Sequence, residues 1–126
     1  MTDLLRAEGL SAFYGASQIL FDVDLALEEG RTLALLGRNG AGKSTTMKTL
    51  AGIVPVRSGR IVFAGRDITH APPHARAKLG LAYVPEDRQV FPEHSVEDNL
   101  LIGAKAGPEG RRDWTLPRIW ETFPLL

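Results

Sequence analysis

Eight consecutive residues near the end of the first third of the chain have the types and spacing of a phosphate-binding loop. Gly37-Arg-Asn-Gly40-Ala-Gly42-Lys43-Ser44 combines three glycines with a lysine and a hydroxyl, and matches the pattern G-x-x-x-x-G-K-[ST] at every required position. Glycines let the backbone curl so that several N–H groups point at one anion, and the start of a following helix adds partial positive charge. The stretch is therefore predicted to bind the phosphates of a nucleotide.

The residues of this loop have separate expected roles. The Lys43 ammonium would reach the β- and γ-phosphates as a catalytic charge, and the Ser44 hydroxyl would complete the ligand shell of a Mg²⁺ ion. The other predicted nucleotide contacts are Gly37, Arg38, Asn39, Gly40, Ala41, Gly42 and Thr45. The loop alone does not separate kinases and GTPases from transport ATPases, although the chain has no N-K-x-D guanine motif.

Composition and charge place the loop in an ordinary soluble globular chain of 126 residues, expected to form one domain. There is no cysteine, which excludes disulfides and thiolate metal sites, and the charged start MTDLLRAEGL is unlike a signal peptide. A net charge of zero argues against a general nucleic-acid binder. The charge is uneven, however, because residues 31–80, which contain the loop, hold nine basic and one acidic side chain. A positive field of this kind would attract a polyphosphate.

The elements expected to position the loop follow from the pattern of apolar residues. Leu4–Phe13 and Gln18–Leu27 predict an antiparallel strand pair, with Ile19, Phe21, Val23, Leu25 and Leu27 alternating towards one buried face. The turn between them would be Tyr14–Ser17. Continuous apolar runs predict two strands that are buried on both faces, Thr32–Gly37 and Leu81–Val84. A further short strand is predicted at Arg60–Ala64. Predicted helices are Lys43–Ile53, His74–Leu79, a helix capped by Ser95 that runs to Gly103, and Asp113–Phe123.

The stretch LALLGRNGAGKSTTMKTLAGIVPVRSGRIVFAGRDIT resembles the ATP-binding subunits of ABC transporters. The resemblance implies an α/β fold: a P-loop NTPase core of ABC type with an N-terminal antiparallel β subdomain. It also implies ATP and Mg²⁺ as ligands. Tyr14 lies where the family places an aromatic ring that stacks on adenine; a hairpin residue packing on its neighbours is the alternative.

A second stretch, VPEDRQVFPEHSVEDNL, is similar to the branch of that family that energises uptake of branched-chain amino acids. A urea or short-amide importer is the nearest alternative. Glu86 stands where most members carry the glutamine of the Q-loop, so the resemblance implies a catalytic and Mg²⁺-contacting position for it; a solvated loop glutamate is the alternative.

The resemblance also implies motifs that this sequence lacks: an S-G-G signature, an apolar strand ending in Asp and Glu, and a switch histidine. The three histidines, His70, His74 and His94, are expected on the surface. We therefore expect an ABC subunit truncated before its signature motif. Residues 1–90 would form the core and β subdomain, and residues 91–126 the start of a helical subdomain. Such a chain is expected to bind ATP weakly and not to hydrolyse it alone, and a non-catalytic nucleotide-binding fragment stays open as an alternative.

The implied partners are those of an importer. They are transmembrane permease subunits, a second ATP-binding subunit in a homo- or heterodimer, and indirectly a solute-binding protein, with no nucleic acid. The implied location is the cytoplasmic face of the membrane, as a peripheral subunit.

Overall fold

The computed structural model describes residues 2–87 and 89–126. Arg88, which belongs to the VPEDRQVFP motif, lies outside the described residues. The chain divides into two compact units, Met1–Tyr83 and Val84–Leu126. The predicted division into residues 1–90 and 91–126 stays a prediction.

The first unit contains a four-stranded antiparallel sheet with the strand order β2-β1-β3-β4. The strands are β1 (Asp3–Tyr14), β2 (Ser17–Glu28), β3 (Ser58–Phe63) and β4 (Arg66–Asp67). The predicted antiparallel pair is confirmed, and β1 and β2 are joined through a tight turn in which Tyr14 pairs with Ser17. β1 lies at the centre of the sheet because β3 pairs with its other edge.

The β1–β2 ladder has four register shifts, and the two in its middle change which side chains face the core. One extra residue in β1 lies near Gly9, between the pairs Ala7↔Leu25 and Leu10↔Val23, and one in β2 lies near Asp22, which has φ 53°. A one-residue insertion reverses the side-chain alternation of a strand. The predicted inward position of Phe21 is therefore wrong: Phe21 is 67% exposed, whereas its neighbour Leu20 is 2% exposed.

Helix α1 (Lys43–Ala51) and helix α2 (Pro73–Lys78) belong to the same unit. Both were predicted; α1 ends at Gly52, which takes the left-handed conformation (φ 87°) expected of a C-terminal glycine. The main core cluster combines sheet residues with Leu50 of α1. Its buried members are Leu5, Ala7, Leu10, Leu50, Ile61, Phe63 and Ile68. A smaller cluster consists of Ala12, Leu20 and Val54.

The second unit contains α3 (Val96–Ile102), a single 3-10 turn (Pro108–Gly110) and α4 (Leu116–Thr122). The predicted cap of α3 is confirmed, because the Asp98 N–H donates to the Ser95 hydroxyl across 3.0 Å. The last helix, predicted from Asp113, begins only at Leu116. Pro117 lies in the first turn of α4, where its missing N–H would have no helical acceptor.

The two runs predicted as doubly buried strands, Thr32–Gly37 and Leu81–Val84, are not strands in the structure. Leu36 is 90% exposed and Val84 is 88% exposed. An extended apolar segment becomes a strand only when a neighbouring backbone pairs with its N–H and C=O groups. Within the described residues, neither run has such a partner in the sheet.

Candidate phosphate-binding site

The loop Gly37–Ser44 folds as a tight turn that leads directly into α1. The Ala41 N–H donates to the Arg38 carbonyl across 3.1 Å, which closes the turn. Gly42 is the N-cap of α1 and adopts φ 99°, a conformation that disfavours residues with a Cβ. The loop residues from Arg38 to Ala41 are exposed. The glycines therefore bring the start of the helix and an open loop together, as the sequence predicted.

The N-terminus of α1 has no competing group among the residues that the structure describes. No side chain there caps it, and its first turn contains no acidic residue. The first intrahelical bond runs from the Thr46 N–H to the Gly42 carbonyl across 2.8 Å. The N–H groups ahead of it have no acceptor inside the helix, and the helix dipole makes this end partially positive. The donor set suits a phosphate anion.

The Lys43 side chain folds back over the loop. Its Nζ donates to the carbonyl of Gly37, so the first and seventh residues of the motif are directly connected. The half-buried ammonium therefore adds a full positive charge beside the helix start. Ser44, the predicted Mg²⁺ ligand, is exposed.

Thr45 and Thr46, which follow Ser44, are buried. The Thr46 hydroxyl donates to the Gly42 carbonyl across 2.8 Å, and the Thr45 carbonyl accepts from the Thr49 hydroxyl across 2.7 Å. Thr45 is 7% exposed, and its predicted nucleotide contact stays a prediction.

Tyr14 lies at the end of β1 and is 47% exposed. Its predicted contact with adenine stays a prediction.

Glu86 belongs to the second unit and lies in an exposed turn. Its predicted role beside Mg²⁺ stays a prediction. His70, His74 and His94 are all exposed, as expected. Among the described residues, no group of three or more His, Asp or Glu side chains is arranged to hold a metal ion by itself.

One buried side chain near the site was missed by sequence reasoning. Arg76 of α2 is 3% exposed, and its guanidinium donates to four backbone carbonyls at 2.7–3.0 Å, those of Thr49, Leu50, Thr69 and Ala71. Two of these carbonyls are at the C-terminal end of α1, where a cation is favoured by the helix dipole. Burial lowers the pKa of the Arg76 guanidinium below its ordinary value. In the sequence, Arg76 is one of nine basic residues in a positive segment, and nothing there distinguishes it from a surface charge.

A glycine loop that ends an extended segment and opens a helix packed on a sheet defines a P-loop nucleotide-binding protein. The profile of the ABC transporter family matches residues 20–125, and the chain belongs to that family.

Three known proteins illustrate the relationship. "Probable branched-chain amino acid transport ATP-binding protein LivF" of Archaeoglobus fulgidus is 45% identical over 123 residues, which cover 98% of this chain and 52% of that protein. "Lipopolysaccharide export system ATP-binding protein LptB" of Escherichia coli K12 is 41% identical over 97 residues, which cover 77% of this chain and 40% of that protein. A solved ATP-binding subunit of an ABC transporter superposes with a TM-score of 0.68 at 36% identity, over 79% of this chain and 40% of that structure.

The expected fold class and family are thus confirmed. The chain spans about half the length of the LivF relative and less of the LptB relative. In the part of the chain that the structure describes, no helix is long and apolar enough to cross a membrane.

Proposed function

We propose that Gly37–Ser44 binds the triphosphate of MgATP and that the chain supplies the phosphate-binding part of an ABC transporter ATP-binding subunit. The observation that carries this proposal is the uncapped start of α1, with no acidic residue in its first turn and with the Lys43 ammonium folded over the loop. Free N–H donors, a helix dipole and a full positive charge converge on one small volume, and a polyphosphate is the ligand that satisfies all three.

The proposed roles follow the geometry of the loop. Lys43 exchanges its bond to the Gly37 carbonyl for bonds to the β- and γ-phosphates, while the N–H groups at the start of α1 donate to the phosphate oxygens. The exposed Ser44 hydroxyl is the proposed ligand of Mg²⁺, which would neutralise phosphate charge when bound. Glu86 keeps its Q-loop role as a separate proposal that rests on the family resemblance. The Tyr14 ring stacks on adenine and orients the base.

Import of branched-chain amino acids is the transport process that we propose for the assembled system. The 45% identity to the LivF relative and the VPEDRQVFP stretch support it. The LptB relative, named for lipopolysaccharide export, is 41% identical over a shorter region, so a different solute is the competing proposal. The proposed partners are permease subunits and a second ATP-binding subunit at the cytoplasmic membrane face.

Phosphate binding can be tested by displacement of a fluorescent ATP analogue from the 126-residue chain in the presence of Mg²⁺. Lys43→Ala is expected to weaken ATP binding by on the order of tenfold or more, because it removes the charge that meets the phosphates. The matched control is Lys48→Ala, which removes a lysine from the last turn of the same helix. Equal affinities for ATP in the wild type and Lys43→Ala would overturn the proposed site.

The identity of the base is tested separately. ATP is expected to displace the analogue more effectively than GTP, and Tyr14→Ala is expected to reduce that preference by removing the stacking surface. If Tyr14→Ala leaves ATP binding unchanged, the stacking role is wrong even where the phosphate site holds.

Hydrolysis is expected to be absent in this chain alone, since the sequence contains no S-G-G signature, no Asp-Glu strand end and no switch histidine at the expected positions. Phosphate release by the purified chain that is abolished by Lys43→Ala would contradict this expectation.

A further inference from the structure

Leu20 faces the core because the β1–β2 hairpin is irregular. A regular strand would not place its side chain there. The Asp22 bulge turns Leu20 inward and leaves Phe21 exposed. The Gln18 side-chain amide donates to the Leu20 carbonyl across 3.0 Å, and the Asp22 N–H donates to the Ser11 hydroxyl across 3.3 Å. Side-chain hydrogen bonds thus fix the backbone on both sides of the bulge.

The inward Leu20 side chain reaches the N-cap of α1. A Cβ placed on Gly42 would lie 3.1 Å from Leu20 Cδ2 and 3.6 Å from the Ile19 carbonyl oxygen. Leu20 is held from behind by Ala12 and Val54, with which it forms a buried cluster. A side chain added at Gly42 would therefore meet Leu20, which is buried and has little room to withdraw.

We propose that Leu20 is a positioning residue for the phosphate loop: its Cδ2 methyl group holds Gly42, and thereby sets the direction of the first N–H groups of α1. This inference rests on the proposed ATP site. Gly42 precedes Lys43 directly, and its carbonyl accepts both the N–H and the hydroxyl of Thr46. A shift of Gly42 would therefore move Lys43 and the first turn of the helix together. Displaced donors bind a ligand more weakly than donors held in the right geometry.

Leu20→Val is the sharpest variant, because it removes both Cδ methyl groups and leaves a smaller, β-branched apolar side chain that suits a strand. Leu10→Val is the matched control: Leu10 is equally buried in β1 but belongs to the other core cluster. Phe21→Ala is the control for the hairpin surface. Affinities are measured with the 126-residue chain for ATP and for inorganic triphosphate, both with Mg²⁺, at a temperature where circular dichroism shows each variant folded.

Leu20→Val is expected to weaken ATP and triphosphate binding by the same factor, on the order of three- to tenfold, because the loss concerns phosphate donors and not the base. The two controls are expected to bind like the wild type. Unchanged triphosphate affinity in Leu20→Val, or an equal loss in Leu10→Val, would overturn the positioning role. If the wild type and Lys43→Ala bind triphosphate equally, the ATP site itself has failed.

A ligand-free measurement keeps the inference testable in that case. The Thr46 amide is protected by the Gly42 carbonyl, whereas the Ile53 amide is protected by the Lys48 carbonyl at the far end of α1. Leu20→Val is expected to accelerate hydrogen exchange at Thr46 more than at Ile53, while Leu10→Val affects both alike. Equal acceleration of both amides in Leu20→Val would show that Leu20 stabilises the fold generally and does not hold Gly42.

Discussion

The guanidinium of Arg76 donates to the carbonyl of Leu50 across 2.7 Å and so fixes the C-terminal end of α1, the helix whose N-terminal end follows the phosphate loop. A second bond from the same nitrogen reaches the Thr49 carbonyl at 3.0 Å. The last carbonyls of a helix have no intrahelical donor, and when they are buried they need one from elsewhere. Arg76 supplies it from α2 and also holds the segment that connects β4 to α2.

Arg76→Met is expected to lower the free energy of unfolding by about 3 kcal/mol or more, because it leaves several buried carbonyls without a donor. Arg76→Lys is expected to recover only part of this loss, since one ammonium group cannot reproduce the planar fork of the guanidinium. Urea unfolding of the 126-residue chain measures both effects. Arg66→Met, which changes an exposed arginine of β4, should stay within about 0.5 kcal/mol of the wild type. An equally small loss in Arg76→Met would mean that water replaces the guanidinium.

The Asp67 carboxylate in β4 makes the free energy of unfolding depend on pH in the acid range. Asp67 accepts from the Thr69 hydroxyl at 2.6 Å and the Thr69 N–H at 3.0 Å, and from Arg60 Nε at 3.0 Å. These hydrogen bonds, chiefly those from Thr69, lower the pKa of Asp67 to about 2. Because the folded pKa lies below the unfolded one, the stabilisation is complete above about pH 4 and is lost as the pH falls towards 2.

Asp67→Asn is therefore expected to be less stable than the wild type at pH 6, with a difference that shrinks between pH 4 and pH 2. The urea midpoint of both chains across this range gives the comparison. Arg60→Gln is the control, and it should keep most of the pH-dependent difference because Thr69 contributes more than Arg60. A difference between the wild type and Asp67→Asn that is constant with pH would show that the charged form is not favoured by folding.

Asn99 connects α3 to the turn that precedes it. Its side-chain oxygen accepts from the Phe91 N–H at 2.9 Å, and its side-chain nitrogen donates to the carbonyls of Phe91 and Ser95 at 3.0 and 2.8 Å. Asn99→Asp keeps the shape but replaces the donor with an oxygen that repels both carbonyls. Hydrogen exchange at the Phe91 amide is expected to rise by on the order of tenfold. Glu97→Gln, an exposed change in the same helix, should leave that amide unaffected, and slow exchange in Asn99→Asp would contradict the connecting role.

The sequence was informative where local chemistry decides the structure. The glycine loop and the Ser95 cap were both predicted, because each depends on residues within one turn of the chain. The hairpin was predicted as well, but not the position of Phe21. The apolar residues of β2 alternate regularly in the sequence. Only the left-handed backbone conformation of Asp22 in the structure shows that the register changes.

Long-range contacts explain the remaining differences. Thr32–Gly37 has the apolar composition of a buried strand, but pairing depends on a neighbouring backbone and not on composition. Arg76 is buried because carbonyls from two distant segments meet around it, and no spacing in the sequence indicates such a meeting. The loop of the candidate phosphate site could therefore be predicted from the sequence. The roles of Leu20 and Arg76, which lie against the two ends of α1, could not.

The contact between Leu20 and Gly42 also predicts a specific energetic coupling. Gly40 and Gly42 both have positive φ, at 86° and 99°, so alanine is strained at either position and is expected to cost about 1 kcal/mol on that ground alone. The positions differ in their surroundings: a Cβ at Gly40 meets nothing within 4 Å, whereas one at Gly42 lies 3.1 Å from Leu20 Cδ2. Gly42→Ala is therefore expected to cost more than Gly40→Ala, by about 1 kcal/mol.

A double-mutant cycle isolates the extra cost. Leu20→Val removes the methyl group that the new Cβ would meet, so the double variant Leu20→Val/Gly42→Ala should be more stable than the sum of the single losses, by about 1 kcal/mol. The parallel cycle with Gly40→Ala should be additive within about 0.5 kcal/mol, because Leu20 does not contact that position. Urea unfolding of the five variants and the wild type gives both coupling energies. Equal coupling in the two cycles would show that Leu20 senses the loop only through overall stability, and a positive coupling confined to Gly42 would establish the methyl contact as the link between β2 and the first turn of α1.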